Sequence, residues 1–286
     1  MLAASGMPPL ALPPTVLSRL RERIAAGKLE LPILSEAAAQ VMRLVNDPTA
    51  DLRRLAEIVA RDPVLAGNLV RVGSSARYAG LTQTTGIGPL VERLGMKAIR
   101  ELALTLTCEA KVFRVPGFAD HMRHLLRHSL AAALFAERLA PAPIRDQAYL
   151  CALLHDVGQP VLLQTLVELH AEVGEEPERA ALEASIQPLH PLVGAALLRS
   201  WGLDEASVAA VRLHHDPQRV ASDPLTAAVA VADDCSHFAL GPKYVDRWSL
   251  GTHPGLAALG LTSADLDKVI GQASRIVCEV DGIFPI

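Results

Sequence analysis

Aromatic side chains are nearly absent from this 286-residue chain, which has two Trp, three Tyr and five Phe, 3% of the sequence, although half of its residues are apolar. A sandwich or barrel of strands is rich in aromatic and β-branched residues, so this core must be built mostly from Leu, Ala and Val, a composition suited to packed helices. Cysteine is also scarce. Cys108, Cys151, Cys235 and Cys278 form no CxxC pair and close no short loop, which argues for reduced, mostly buried thiols rather than a disulfide framework. Positive charge is not in excess: 27 Lys and Arg stand against 31 Asp and Glu, with a pI near 6.2. No overall basic field calls for nucleic acid or an anionic membrane. The N-terminus, MLAASGMPPLALPP, has no basic start and four prolines, unlike a signal peptide. No uncharged apolar stretch approaches the roughly 20 residues needed to cross a bilayer. The expectation is a cytoplasmic protein with no membrane partner.

What the sequence does have is helical spacing. After a Pro-rich tail (1–14), helices are predicted over Val16–Ala26, Ser35–Val45, and from Asp51, where Leu52, Leu55, Ile58 and Val59 share one face. Another opens at Asp62-Pro63, Gly73–Gly88 reads as a loop, and Pro89–Leu104 returns to helical spacing with a break at Gly95. Phe118–Leu139 should be a central helix, because its second half, Ser129-Leu-Ala-Ala-Ala-Leu-Phe, is apolar nearly all round. Further helices fit Arg145–Leu154, Pro160–Val173, Glu176–Ser185, Pro191–Trp201, Glu205–His215, Pro224–Leu240 and Ser263–Val280. No sustained period-two alternation and no fixed repeat occurs. The fold class is all-α: a multi-helix bundle (116–240) preceded by an N-terminal helical lobe (15–115) and followed by a C-terminal helical extension (241–286).

The chemistry-bearing residues begin with His155-Asp156, which follow an apolar helix and precede Gly158 and Pro160. Neighbours do not share a face inside a regular helix, but they can aim at one point where a helix ends. Imidazole with carboxylate suits Mn, Fe, Zn or Ni; the alternative is a helix-terminal His with an Asp capping the next helix. His128 sits where the polar half of the central helix meets its apolar half. His121 and His124 share its face, as solvent-exposed residues or as a separate surface metal site. His190 opens a helix and His214-His215 close one, positions that ordinary helix-end polarity also explains. Asp233 and Asp234 interrupt a nearly all-apolar helix. A buried unpaired carboxylate is costly and a metal would resolve that cost, while one of the pair should reach solvent.

The order His128, His155-Asp156, His190, His214-His215, Asp233 resembles the metal-ligand order of the HD superfamily. Leu31-Pro32-Ile33-Leu34, Asp47-Pro48, Leu55-Ala56, Asp62-Pro63-Val64-Leu65, the run from Leu69 to Tyr78, and Leu94-Gly95 resemble its HDOD branch, over about residues 25 to 225. The resemblance implies a bundle of the HD-domain type and a divalent metal (Fe, Mn, Ni or Zn) held by His128, His155, Asp156, Asp233, His190, His214 and His215. Such ions would lower the pKa of a bound water and neutralise charge on a phosphoryl group. It also implies a signalling output module of the kind joined to receiver domains. Three departures matter: Ser74 stands where the family has Asn, Gln159 where active HD enzymes have Lys, and no Gly-Tyr-Pro follows His215.

Two functions follow. The leading one is a non-enzymatic signal-transduction module acting through protein partners, with a metal in the bundle. The alternative is a metal-dependent phosphodiesterase or phosphohydrolase acting on a nucleotide or cyclic dinucleotide. DNA binding has little support, since Arg53, Arg54 and Arg61 alternate with Asp51, Glu57 and Asp62 and lack an aromatic platform.

Overall fold

The computed structural model describes residues 12–29, 51–61, 113–241 and 245–283, with isolated positions between 40 and 105. The described residues are mostly helical, with no strand among them. In chain order the helices are α1 (Pro14–Ala25), α2 (Leu52–Arg61), α3 (Ala119–Leu139), α4 (Arg145–Leu154), α5 (Gly158–Val173), α6 (Arg179–Ile186) and α7 (His190–Ser200). They continue with α8 (Glu205–Leu213), α9 (Pro217–Ser222), α10 (Pro224–Leu240), α11 (Arg247–Gly251), α12 (Gly255–Leu259), α13 (Ser263–Ile270) and α14 (Ala273–Ile283). A 3-10 turn over Ala142–Ile144 joins α3 to α4.

Local chemistry sets the starts of several of these helices. Asp204, Asp216 and Asp223 each stand at an N-cap and accept backbone N–H groups of the first turn, at 2.9–3.0 Å, which satisfies donors that the helix itself leaves unpaired. Pro217 and Pro224 follow two of these caps, where a missing N–H costs nothing. Thr262 and Asp265 form a reciprocal capping box on α13. Helix α6 starts three residues later than the apolar pattern alone predicts, because Glu176 precedes Pro177, which disfavours helical backbone there, and the Glu178 backbone is extended.

Helix α3 runs through the centre, packed along both α4 and α10. The faces between them are lined by small residues, among them Ala131, Ala132, Ala133 and Ala136 on α3 and Ala227, Ala228 and Ala232 on α10, all fully buried. Small side chains let the helix axes approach closely, which brings polar groups from three helices within reach of one another at one end of the interface. Helix α5 presses on α7 just as closely. A Cβ on Gly158 would lie 2.1 Å from the His190 carbonyl oxygen and 2.7 Å from the Gly194 nitrogen, so only glycine fits there.

Two outer elements are tied to this bundle by ion pairs. Arg19 and Arg23 of α1 reach Glu172 and Glu168 of α5. Helix α14 lies along α3, where Arg138 donates to Glu279 at 3.2 Å and Arg127 to Asp281 at 2.6 Å. The helix expected over Ser263–Val280 is in fact two, broken at Gly271 and Gln272. Helices α9, α11 and α12 were not anticipated, since five or six residues are too few to display a 3.6-residue period. Of the expected helix Ser35–Val45 only Gln40 is described, and it is helical; the opening at Asp62-Pro63 and all but the last two residues of the Gly73–Gly88 segment lie outside the described residues; Gly95 does take a left-handed φ of 76°. The apolar run Ala142–Val173 is long enough to span a membrane by length, yet 89% of its most apolar window is buried inside the fold.

Candidate metal centre

The junction between α4 and α5 is built as the sequence required. Helix α4 ends at Leu154, His155 continues with helical φ and ψ, and α5 starts afresh at Gly158. Asp156 does not cap α5, whose N-cap residue Val157 makes no side-chain cap bond. Its carboxylate turns inward and is 5% exposed. Around it gather His128 from α3, His190 from the start of α7, His214 and His215 from the end of α8, and Asp233 from α10. All seven residues anticipated from the sequence therefore converge on one site. His128, His155, His190, His214 and both carboxylates are buried, and only His215 is exposed.

Four of the imidazoles are held through Nδ1. His155, His190 and His214 place Nδ1 at 2.6, 2.7 and 2.7 Å from the carbonyl oxygens of Ala152, Gln187 and Val211, each three residues earlier. A carbonyl only accepts, so each Nδ1 carries the proton. For His155 and His214 these bonds also satisfy a free carbonyl at a helix C-terminus, so the helix-end reading and the site reading hold together. The Ser236 hydroxyl donates to the His128 carbonyl at 2.9 Å and accepts from His128 Nδ1 at 3.0 Å. All four Nε2 atoms are thus left to face the centre, the arrangement by which metal-binding histidines are usually oriented.

Between His190 and His214 no donor meets them. His190 Nε2 lies 3.4 Å from His214 Nε2 and 3.1 Å from Asp156 Oδ1. Burial lowers the pKa of His190, and burial with the neighbouring rings of His155 and His215 lowers that of His214 well below the usual imidazole value. Both rings are neutral, so two nitrogen lone pairs and a carboxylate oxygen face one another. On the other side of Asp156, His128 Nε2 stands 3.2 Å from His155 Nε2 and 3.0 Å from Asp233 Oδ1. Asp233 Oδ1 is buried without a hydrogen-bond partner. Burial raises the pKa of both carboxylates, but the surrounding rings, His155 foremost for Asp156 and His128 and His155 for Asp233, outweigh it and hold both ionised. Burial likewise lowers His155, yet Asp156 and Asp233 override it and push that imidazole up to about 9. In the metal-free protein a second proton, on His155 Nε2, partly neutralises two buried carboxylates. That leaves negative charge and unpaired lone pairs, which a divalent cation would resolve.

Asp156 divides the cluster. Its Oδ2 lies 3.4 Å from His155 Nε2 and 3.7 Å from His128 Nε2, and its Oδ1 faces His190. His128, His155 and Asp156 offer one group of ligand atoms within 4.8 Å of one another, and His190, His214 and His215 offer another. A carboxylate between two such groups can bridge two ions, and imidazole with carboxylate suits Fe, Mn, Ni or Zn. These residues fit a divalent metal.

The centre opens to solvent through a pocket of about 380 Å³. Its wall includes His121, His124 and Arg127 from α3, with Gln159, Gln187, His215 and His237. His121 is half-buried and His124 exposed, and neither joins a ligand group among the described residues. They form the rim of this site and not a second one. His237 was not anticipated. It lies one turn beyond Asp233, with Nε2 3.3 Å from Asp233 Oδ1 and its ring 4.3 Å from that of His128. The signal was legible in the spacing of four between Asp233 and His237. Ser236 and Arg127 gave none, because nothing in sequence tells which serine or arginine borders a site. Asp234, the carboxylate expected nearer to solvent, is half-buried beside His253, and burial together with Asp233 pushes it up to about 6. Of the thiols, Cys151 and Cys235 are buried and Cys278 is exposed.

This architecture recurs in solved structures. An HDOD domain protein of unknown function from Geobacter sulfurreducens matches with a TM-score of 0.72 and 25% identity, over 95% of this chain and all of that one. A candidate metal-dependent phosphohydrolase from Shewanella amazonensis matches with a TM-score of 0.70 and 20% identity, over 93% and 97% of the two chains, a likeness of fold. A candidate signal transduction protein from Marinobacter aquaeolei matches with a TM-score of 0.63 and 26% identity, over 91% of this chain and 59% of that one. Among curated sequences, an uncharacterised protein of Treponema pallidum is 26% identical over 234 residues. The chain spans less than half the length of the curated relatives that it matches, 44% and 19%. The family model of the HDOD domain matches residues 31–217, a stretch that contains every anticipated site residue except Asp233, and the chain belongs to the HDOD family.

Proposed function

We propose that the chain is an HDOD signal-transduction module whose His/Asp cluster holds a divalent metal and whose helical lobes pass a signal to a protein partner. The observation that carries the metal is the buried Asp233 Oδ1 with no hydrogen-bond partner, in the same cluster as His190 and His214, whose Nε2 lone pairs face each other. The described relative named as a candidate signal transduction protein supports the signalling role. Gln159 on the pocket wall, an amide without charge, favours binding over turnover. The test is metal content by mass spectrometry on anaerobically purified protein, wild type beside Asp156→Ala. Near-stoichiometric Fe, Mn, Ni or Zn in the wild type, lost in the variant, is the expected result. No metal in either would overturn the metal-binding part of this reading.

One set of observations favours a second reading, a metal-dependent phosphohydrolase. Asp156 faces His128 and His155 with Oδ2 and His190 with Oδ1, and the pocket beside them is large enough to admit a ligand and open to solvent. When bound, divalent ions supply Lewis acidity toward a phosphoryl oxygen and activate water. The chain's own part is to fix the ligand atoms through Nδ1 anchors and to bury two carboxylates out of water. Repeated turnover of bis(p-nitrophenyl) phosphate or a cyclic dinucleotide by the metal-loaded chain, abolished in Asp156→Ala, would establish this reading over the first. Full metal load without turnover would leave the first standing.

A further inference from the structure

Arg127 precedes His128 on α3, and its side chain is 14% exposed. Both Nε and Nη2 donate to a single oxygen of Asp281, at 2.9 and 2.6 Å, and Asp281 belongs to the last described helix, α14. Two donors on one acceptor fix the plane of the guanidinium, while Nη1 makes no hydrogen bond among the described residues. Arg127 also borders the pocket, and among the described residues that do so it is the one Lys or Arg. Lys and Arg can fit an anion differently: the planar fork matches a phosphoryl or carboxylate group edge-on and keeps its charge at every working pH. A surface ion pair tying α14 to α3 would need no such placement, and Arg138 with Glu279 already supplies one.

We propose that Arg127 contacts a phosphoryl oxyanion of the ligand taken by this pocket, and that Asp281 is a positioning residue which makes the C-terminal helix part of the site. This rests on the metal-centre reading, because without cations Asp156 and Asp233 would repel such an anion.

The test uses the full chain loaded with Mn, with inorganic phosphate as the probe, titrated by calorimetry. Wild type, Arg127→Ala, Arg127→Lys and Asp281→Asn are compared, with metal load measured by mass spectrometry and folding by circular dichroism. Loss of a hydrogen bond to a charged group should weaken phosphate binding about tenfold or more in Arg127→Ala, with metal load unchanged. Arg127→Lys should recover part of the loss, which a merely structural role would not predict to follow the charge. Asp281→Asn should fall between wild type and Arg127→Ala, and it supplies the reading if Arg127→Ala does not fold. Phosphate affinity within twofold of wild type in Arg127→Ala or, should that variant not fold, in Asp281→Asn, at full metal load, would overturn the proposal and leave the metal centre intact. A wild type that takes up none of Mn, Fe, Ni or Zn would overturn the metal reading and this proposal with it.

Discussion

His190 and His214 direct their Nε2 atoms at each other across 3.4 Å, and each ring has already committed its one proton to a backbone carbonyl. Two neutral imidazoles gain nothing from that arrangement unless a cation accepts both lone pairs. The geometry therefore has consequences that can be measured without knowing the ligand.

The first concerns Asp156, which lies between the two imidazole groups. A ligand that binds only the folded state at 100 times its Kd stabilises by about 2.7 kcal/mol, so Mn should raise the wild-type melting temperature by several degrees. Asp156→Ala should abolish that rise. A variant that keeps both the metal load and the thermal shift would show that Asp156 is not a ligand.

Acid and base should act on the metal-free protein through His155. Its folded pKa of about 9 is raised above the 6.5 of an unperturbed imidazole. The stabilisation from its charged form is thus fully present below pH 6.5 and is lost as pH rises through 9; it amounts to roughly 3 kcal/mol at most. Asp156 and Asp233 act in the opposite sense, since their depressed values remove stability as the solution becomes strongly acidic. Metal must displace the His155 proton, so apparent metal affinity should climb between pH 6.5 and 9. Melting curves of the metal-free protein across that range, with His155→Gln alongside, decide it: a flat wild-type profile would mean that His155 carries no second proton.

Gly158 and Gly194 face each other where α5 meets α7, and they should respond differently to alanine. A Cβ on Gly158 meets backbone at 2.1 Å, which cannot yield without moving His190, whereas one on Gly194 meets a Val211 methyl at 3.2 Å. Gly158→Ala should cost about 3 kcal/mol or more and weaken metal binding, and Gly194→Ala about 1 kcal/mol or less. Denaturant melts and metal titrations on the pair provide the comparison, and equal effects would contradict the close crossing.

Ser236 orients His128 without touching the centre itself. Removing such a hydrogen bond usually weakens metal binding about 10–100-fold. Ser236→Ala should show a loss of that size with little change in metal-free stability, read from competition with a chelating dye. Unchanged affinity would mean that packing alone fixes the ring.

Much of this was legible from residue order. Periodicity and prolines placed α4 and α10 at their observed bounds, Arg145–Leu154 and Pro224–Leu240, because both segments are apolar and α10 is capped by Asp223. The site was legible as a set: a carboxylate inside an apolar helix at Asp233 has a cost that only a partner removes, and five such elements in one order resemble one family. His237 could have been included on its spacing from Asp233 and was not. Ser236, Arg127 and Asp281 could not have been found, because the contacts that define them join residues 108 and 154 positions apart.

The sequence by itself determined that the chain is helical, that its core is aliphatic, and which histidines and aspartates stand at helix ends or in apolar faces, since these follow from local spacing and from the cost of burying charge. Only the tertiary structure decided that they meet around Asp156, that His128, His155, His190 and His214 all present Nε2 there, and that α14 pairs through Asp281 with Arg127 on the pocket wall. Those depend on how closely α3, α4, α7 and α10 approach, and small residues such as Gly158 and the alanines of α3 permit that approach without specifying, in the sequence, which helix will fill the space.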